Sequence, residues 1–234
     1  MPQRSPAWHL ARKGRITASE AGRVLTATGR PSKQAAPLLA SLQWDASETD
    51  AEYLARVCPD DAHANRDRGP GFMSGPMSRG IQFEGRTLDA AAFVLGLDAE
   101  PVGCVETDWG LVASPDGVVL SEWAEVGEPG EPNPETTWCV DCVLEIKTPE
   151  PATHDEYRRS WGDGPPAVPT KYLPQIHAQM IACECDEAWL AMQSYEHSGR
   201  PVGALALVHV KRDAYTDQLE KALREFAKAL KGNA

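Results

Sequence analysis

The chain has 234 residues, 42% of them hydrophobic, and its 23 lysines and arginines are outnumbered by 34 aspartates and glutamates, for a formal net charge of −11. That length and apolar share suit one α/β unit over residues 1–234 with a full core. No apolar run approaches the roughly 20 residues of a membrane span, and the opening MPQRSPAWHL lacks the apolar stretch of a signal peptide, so no membrane role is expected and the expected location is the cytoplasm.

In chain order, a helix or turn around WHLARKG is followed by ITASEAGRVL, a short helix that Thr17 or Ser19 can cap. Residues 34–57 carry helical stretches broken by polar spacers, and residues 58–80, with several Pro, Gly and Asp, read as a loop holding Arg66, Arg68, Met73, Met77 and Arg79. A helix over IQFEGRTLDAAAFVLG puts Phe83, Leu88, Ala91 and Leu95 on one face and ends at Gly96. The period then shifts to a β-type meander through PVGCVETDWGLVASPDGVVLSEW, with a tight turn at Ser114-Pro115-Asp116-Gly117. EVGEPGEPNPETT reads as a connection to the strand WCVDCVLEIKTP. After a loop at WGDGPPAVP come a helix starting near Pro174, the strands AWLAMQSY and GALALVHVKR, and an amphipathic terminal helix.

The cysteines are too few for a disulfide scaffold and read as buried thiols. Cys139-x-x-Cys142 with Cys183-x-Cys185 is the alternative, a soft-ligand site for zinc or an iron–sulfur cluster; against it, a strand would turn Cys139 and Cys142 to opposite faces.

The acidic balance argues against a nucleic-acid partner until its distribution is considered. Residues 1–36 hold Arg4, Arg12, Lys13, Arg15, Arg23, Arg30 and Lys33 against Glu20 alone, whereas residues 89–156 hold sixteen acids and one base, Lys147. Such asymmetry suits a site in which one wall grips phosphate while another holds divalent cations; the alternative, which composition alone favours, is a solubilising acidic surface.

In Leu144-Glu145-Ile146-Lys147 the two-residue period of a strand projects Glu145 and Lys147 together and turns Leu144 and Ile146 to the core. Asp116 completes the group if its strand neighbours this one. Asp116, Glu145 and the Ile146 carbonyl are hard oxygen ligands suited to magnesium, with manganese as a substitute. Lys147 can orient a hydroxide or neutralise charge building on phosphorus.

The ordered words WHLARKGRITASE, RGIQFEG, SPDG, LEIKTP and KYLPQIHAQM, spanning about residues 8–182, resemble the lambda-exonuclease or YqaJ-like viral recombinase family of the PD-(D/E)-x-K nucleases. The resemblance implies a restriction-endonuclease-like α/β core, a central mixed sheet flanked by helices. It implies digestion of one strand of linear duplex DNA from its 5′ end to mononucleotides, leaving 3′ single-stranded tails for phage-type recombination. It also implies a homotrimeric ring, a single-strand annealing partner and a phage or prophage origin in a bacterial host. Asp116 and Glu145 resemble the family's metal ligands, assisted by Ile146, and Lys147 its catalytic lysine. Glu84 resembles the acid facing the metal, Gln175 the glutamine near the attacked bond, and Arg12, Ser19 and Ser114 a pocket for the 5′-phosphate. The family's further phosphate-binding arginine after the E-x-K word has no obvious counterpart; His154, Arg158 and Arg159 follow it.

Three other readings stand beside this one. A structure- or site-specific endonuclease of the same fold would not need a 5′-phosphate pocket. An iron–sulfur nuclease of the kind found in CRISPR adaptation would flank its core with cysteines differently. A non-catalytic acidic module that mimics DNA would have no use for the lysine beside Glu145.

Overall fold

The computed structural model describes residues 3–57, 75–123 and 137–232. In chain order, α1 (Pro6–Arg12) leads into β1 (Ile16–Thr17), a 3-10 helix over Ala18–Arg23, α2 (Ala35–Ser47), α3 (Asp50–Val57) and α4 (Gly75–Leu95). The strands β2 (Ala99–Glu100), β3 (Val105–Glu106), β4 (Leu111–Ala113), β5 (Gly117–Trp123) and β6 (Thr137–Lys147) follow. After them come α5 (Pro151–Trp161), α6 (Leu173–Cys183), β7 (Glu187–Tyr195), β8 (Pro201–Lys211) and α7 (Ala214–Gly232).

Five strands form a mixed sheet in the order β2-β5-β6-β7-β8, in which β6 runs antiparallel to β5 and parallel to β7. Helices cover both faces. Leu144 and Ile146 of β6 pack with Leu88 and Ala91 of α4, while Val143 of the same strand packs with Ile176 and Met180 of α6. The alternation in LEIK suggested one buried and one open face; instead β6 is a central strand with both faces covered, and Glu145 is only 2% exposed.

A second, three-stranded sheet in the order β1-β4-β3 carries the N-terminal region. Its parallel pairing of Ile16 with Leu111 brings the basic N-terminal segment beside the strand that leads to Asp116. Ile16, Leu38, Leu111, Ala178, Leu219 and Leu223 form one buried cluster there, so α6 is shared between the two cores. Residues Pro174 to Cys183 are all buried except Gln175.

Several local expectations are corrected. The segment after Thr17 is a 3-10 helix, and Thr17, although at its N-cap position, makes no side-chain cap bond; its hydroxyl is engaged by Glu20 and Ser19 instead. Helix α4 begins at Gly75 rather than Ile81, because a proline such as Pro76 is tolerated in a first turn. Helix α5, which starts on Pro151 in the same way, was not apparent in the sequence. Cys58, Arg66, Arg68, Met73 and the connection 124–136 lie outside the described residues, as do the side chains of Met77 and Arg79.

Cys142, Cys183 and Cys185 are buried while Cys139 is exposed, and among the described residues no cluster of cysteine, histidine or acidic side chains gathers to form a zinc or iron–sulfur site. Burial pushes the Cys142 thiol up to about 11 and those of Cys183 and Cys185 to about 12. With roughly one buried thiol in ten thousand ionised near pH 8, iodoacetamide should label Cys139 in the native protein and spare Cys183 and Cys185 until it is unfolded. Prompt labelling of either in peptide mapping would show that this core opens readily.

Candidate active site

Asp116 sits on the turn between β4 and β5, where the backbone holds it from two directions. Its N–H donates to the Leu144 carbonyl at 3.1 Å, and its Oδ2 accepts from the Ile146 N–H at 2.7 Å. The turn must pass close under α4: a Cβ on Gly117 would fall 2.8 Å from Leu88 Cδ1. A side chain at this position would have to displace the end of Leu88, so glycine lets the turn pass without disturbing α4.

Glu145 projects from β6 toward α6. Its Oε1 accepts from Lys147 Nζ and from Gln175 Nε2 at 2.7 Å, and its Oε2 accepts from Gln179 Nε2 at 2.5 Å. Lys147 Nζ also lies 3.5 Å from Gln175 Oε1 and 5.1 Å from the centre of the Tyr172 ring. Burial alone would lower the pKa of Lys147; the attraction of Glu145 and Asp116 outweighs it, so the ammonium is held above its ordinary value. Asp116 moves the other way for a charged group. Burial first, then repulsion by Glu145 and Glu84, raises its carboxyl well above the usual range, although Lys147 and the Ile146 N–H act against this.

Glu84 reaches the cleft from α4 and pairs with Arg4 at 3.2 Å. At the other end, Arg12, in the last turn of α1, donates to Ser114 at 3.5 Å and to Ser19 at 3.3 Å. Trp8, one turn before it, stacks under its guanidinium at 4.3 Å and donates from Nε1 to Ser114 at 2.9 Å. Burial lowers the Arg12 pKa, with Cys104, Glu20 and Tyr53 opposing.

All nine residues singled out in the sequence, Asp116, Glu145, Ile146, Lys147, Glu84, Gln175, Arg12, Ser19 and Ser114, line one cleft of about 380 Å³. Elsewhere, Arg158 and Arg159 line a separate hollow beside Trp161, and His154 is fully buried, so none of these three supplies the missing arginine. Among the described residues, the cations that do line the cleft are Arg4, Arg12 and Lys147. Sequence reading missed Gln179, Trp8 and Tyr172, which also line it, and placed Arg4 only in the basic N-terminal wall. The four-residue helical spacings Trp8 to Arg12 and Gln175 to Gln179 were the available signals.

Among the described residues no three acidic, histidine or cysteine side chains gather tightly enough to hold a cation unaided. The donor set nevertheless fits one. Burial first, and then the neighbouring carboxylates, make Asp116 resist ionisation, and a hard cation would favour its charged form while taking its remaining ligands from water and phosphate.

A family model described as the YqaJ-like viral recombinase domain matches residues 7–186. The structure is similar to that of an alkaline exonuclease from Laribacter hongkongensis, with a TM-score of 0.64 at 20% identity, covering 98% of this chain and 94% of that one. The same values hold for that exonuclease in complex with dAMP. A phage-related exonuclease from Haemophilus somnus 129PT matches with a TM-score of 0.51 at 11% identity over 94% of this chain and 96% of that one. No curated protein matches the sequence. The fold is thus the restriction-endonuclease-like one, mixed sheets flanked by helices.

Proposed function

The chain belongs to the YqaJ-like viral recombinase family, and from that premise we propose that it is a metal-dependent 5′-to-3′ exodeoxyribonuclease acting on linear duplex DNA. The observation that carries the reading is the single cleft with a carboxylate–lysine group at one end and the Arg12–Ser19–Ser114 group at the other. An exonuclease needs both, one to cut and one to seat a terminal phosphate; an endonuclease needs only the first. The names of the similar structures, both exonucleases, support the same reading.

Asp116, Glu145 and the Ile146 carbonyl would hold Mg2+, or Mn2+ in its place. When bound, such an ion supplies a water of lowered pKa and stabilises negative charge on the phosphoryl oxygens. The protein does the rest. Arg12, with the hydroxyls of Ser19 and Ser114, seats the 5′-phosphate and so fixes which bond faces the carboxylates. Gln175 orients the attacking water. Attack in line on the phosphorus forms a new P–O bond and breaks the bond to the 3′ oxygen, which leaves as a hydroxyl; the product is a 5′-mononucleotide. Lys147, held as an ammonium, acts as a fixed cation beside the reacting phosphoryl group rather than as a base. Repetition leaves a 3′ single-stranded tail, the substrate of an annealing protein in phage-type recombination. A homotrimer around the duplex, in the cytoplasm of a phage-bearing bacterium, completes the proposal. No helix among the described residues is long and apolar enough to cross a membrane.

Linear duplex labelled separately at its 5′ and 3′ ends, with a closed circle as control, tests this in magnesium and in chelator. The expected result is metal-dependent release of 5′ label as mononucleotide from linear DNA alone; nicking of the circle would replace the reading with an endonuclease. Arg12→Ala should slow digestion of 5′-phosphorylated ends by roughly 10–100-fold, the worth of a hydrogen bond to a charged group, and affect 5′-hydroxyl ends less. Equal slowing on both ends would sink the pocket assignment.

A further inference from the structure

Helix α6 is apolar along the face that it presents to the sheet, with Ile176 and Met180 in the core, yet it carries a glutamine at position 179 that is 1% exposed. Its Nε2 donates to Glu145 Oε2 at 2.5 Å, and its own Oε1, fully buried, has no hydrogen-bond partner. Turning the amide over would not repair this, because it would set a carbonyl oxygen against a carboxylate that has only acceptors to offer. The interior thus tolerates an unpaired acceptor in order to keep an N–H on Glu145, an arrangement that packing alone would eliminate.

The partners of the two Glu145 oxygens differ in kind. Oε2 is held from within by the buried Gln179, whereas Oε1 is met by Lys147 and Gln175, both partly open to the cleft. We infer that Gln179 is a positioning residue, which pins Oε2 so that Oε1 is the oxygen turned toward a divalent cation at the Asp116–Glu145 site. The inference rests on the metal-dependent reading above, and it names a residue that this reading does not use. Lys147 and Gln175 can give way at Oε1 because both are partly exposed and line the cleft, where water or substrate could take the place of Glu145. Gln179 has no such freedom: it is enclosed by α6 and β6, and its bond to Oε2 stays when the cleft fills. Partners that orient a ligating carboxylate in this way commonly set metal affinity as strongly as the ligand's own surroundings do.

The test is a calorimetric titration of Mn2+ into the full chain, without DNA, for the native protein and for Gln179→Met, which keeps the length of the side chain and removes both hydrogen-bonding groups. Thermal unfolding in chelator is measured alongside. The expected outcome is a variant that folds cooperatively and binds Mn2+ roughly 10–100-fold more weakly. A residue that only fills space would change the melting temperature and leave the Mn2+ affinity of the folded protein alone; equal affinities would overturn the inference while leaving the metal site standing. If Gln179→Met does not fold, Gln179→Asn decides in its place, since its amide is one methylene too short to reach Oε2. Failure of the native protein to bind Mn2+ at all would overturn the metal-dependent reading and this inference with it.

Discussion

Lys147→Ala is expected to lower the cleavage rate by roughly 10²–10³-fold or more, with duplex binding retained. The lysine is 23% exposed at its side chain and stands between the cleft and Glu145, whose Oε1 it contacts. Its ammonium stays charged in spite of burial because Glu145 and Asp116 attract it, so removal takes away the cation that offsets those two carboxylates. The change strikes the step at which charge grows on phosphorus and spares Arg12 and the serines that grip the end. Single-turnover cleavage and fluorescence anisotropy separate the two. Cleavage at the native rate would disprove the role of Lys147, and a parallel fall in binding would reassign it to seating the strand.

Asp116→Asn is expected to abolish metal-dependent cleavage and, in chelator, to make the protein more stable than the native one. The physical reason is the raised carboxyl. Asp116 in the folded state keeps its proton well above its ordinary value of 3.8, the value at which the unfolded chain releases it. As pH climbs through the interval between these two points, the folded state binds more protons than the unfolded one, and stability therefore falls. Asparagine does not ionise, and its side-chain oxygen can still accept from the Ile146 N–H. The gap between variant and native protein should widen as pH rises through that interval and then stay constant. A divalent cation reverses the order, because it binds the ionised native site and stabilises it by mass action. Melting curves against pH, with chelator and with Mn2+, give the answer; a variant less stable than the native protein at every pH in chelator would refute this account of the Asp116 pKa. Stability surrendered at a functional site is a common pattern.

Much of this arrangement was legible in the sequence because it is local. LEIK states its own alternation, SPDG is turn chemistry, and the tight pairing of the two strands around them needs only that β5 and β6 be adjacent. What could not be read there depends on distant partners. The alternation of Glu145 with Leu144 and Ile146 implies an open face, and only the packing of α6 closes it. Gln179 was hidden for the same reason: a single polar residue in IHAQMIAC shows no partner until β6 is placed beside it. The parallel pairing of Ile16–Thr17 with Leu111–Val112 is two residues long, too short for any periodic signature, yet it brings Arg12 and Ser19 to Ser114. Helix α4 starts earlier than its sequence suggests and helix α5 is hidden altogether because proline, usually a breaker, stands in the first turn of each.

Ser114 and Asp116 are separated by one residue, and both ends of that short piece are tied down: Ala113 is in β4, itself paired to β1 and β3, and Asp116 is bonded to β6 through Leu144 and Ile146. Two residues of chain reach at most about 7 Å. On the proposed reading, one jaw of this fixed caliper rests on the terminal phosphate and the other on the bond to be severed. Its opening is bounded by the reach of the backbone and set by the pairing that holds each end. The enzyme would therefore bite off the same length at every stroke, whatever bases pass through it, and lengthening the gauge by inserting one residue between Ser114 and Asp116 would spoil the bite rather than enlarge it.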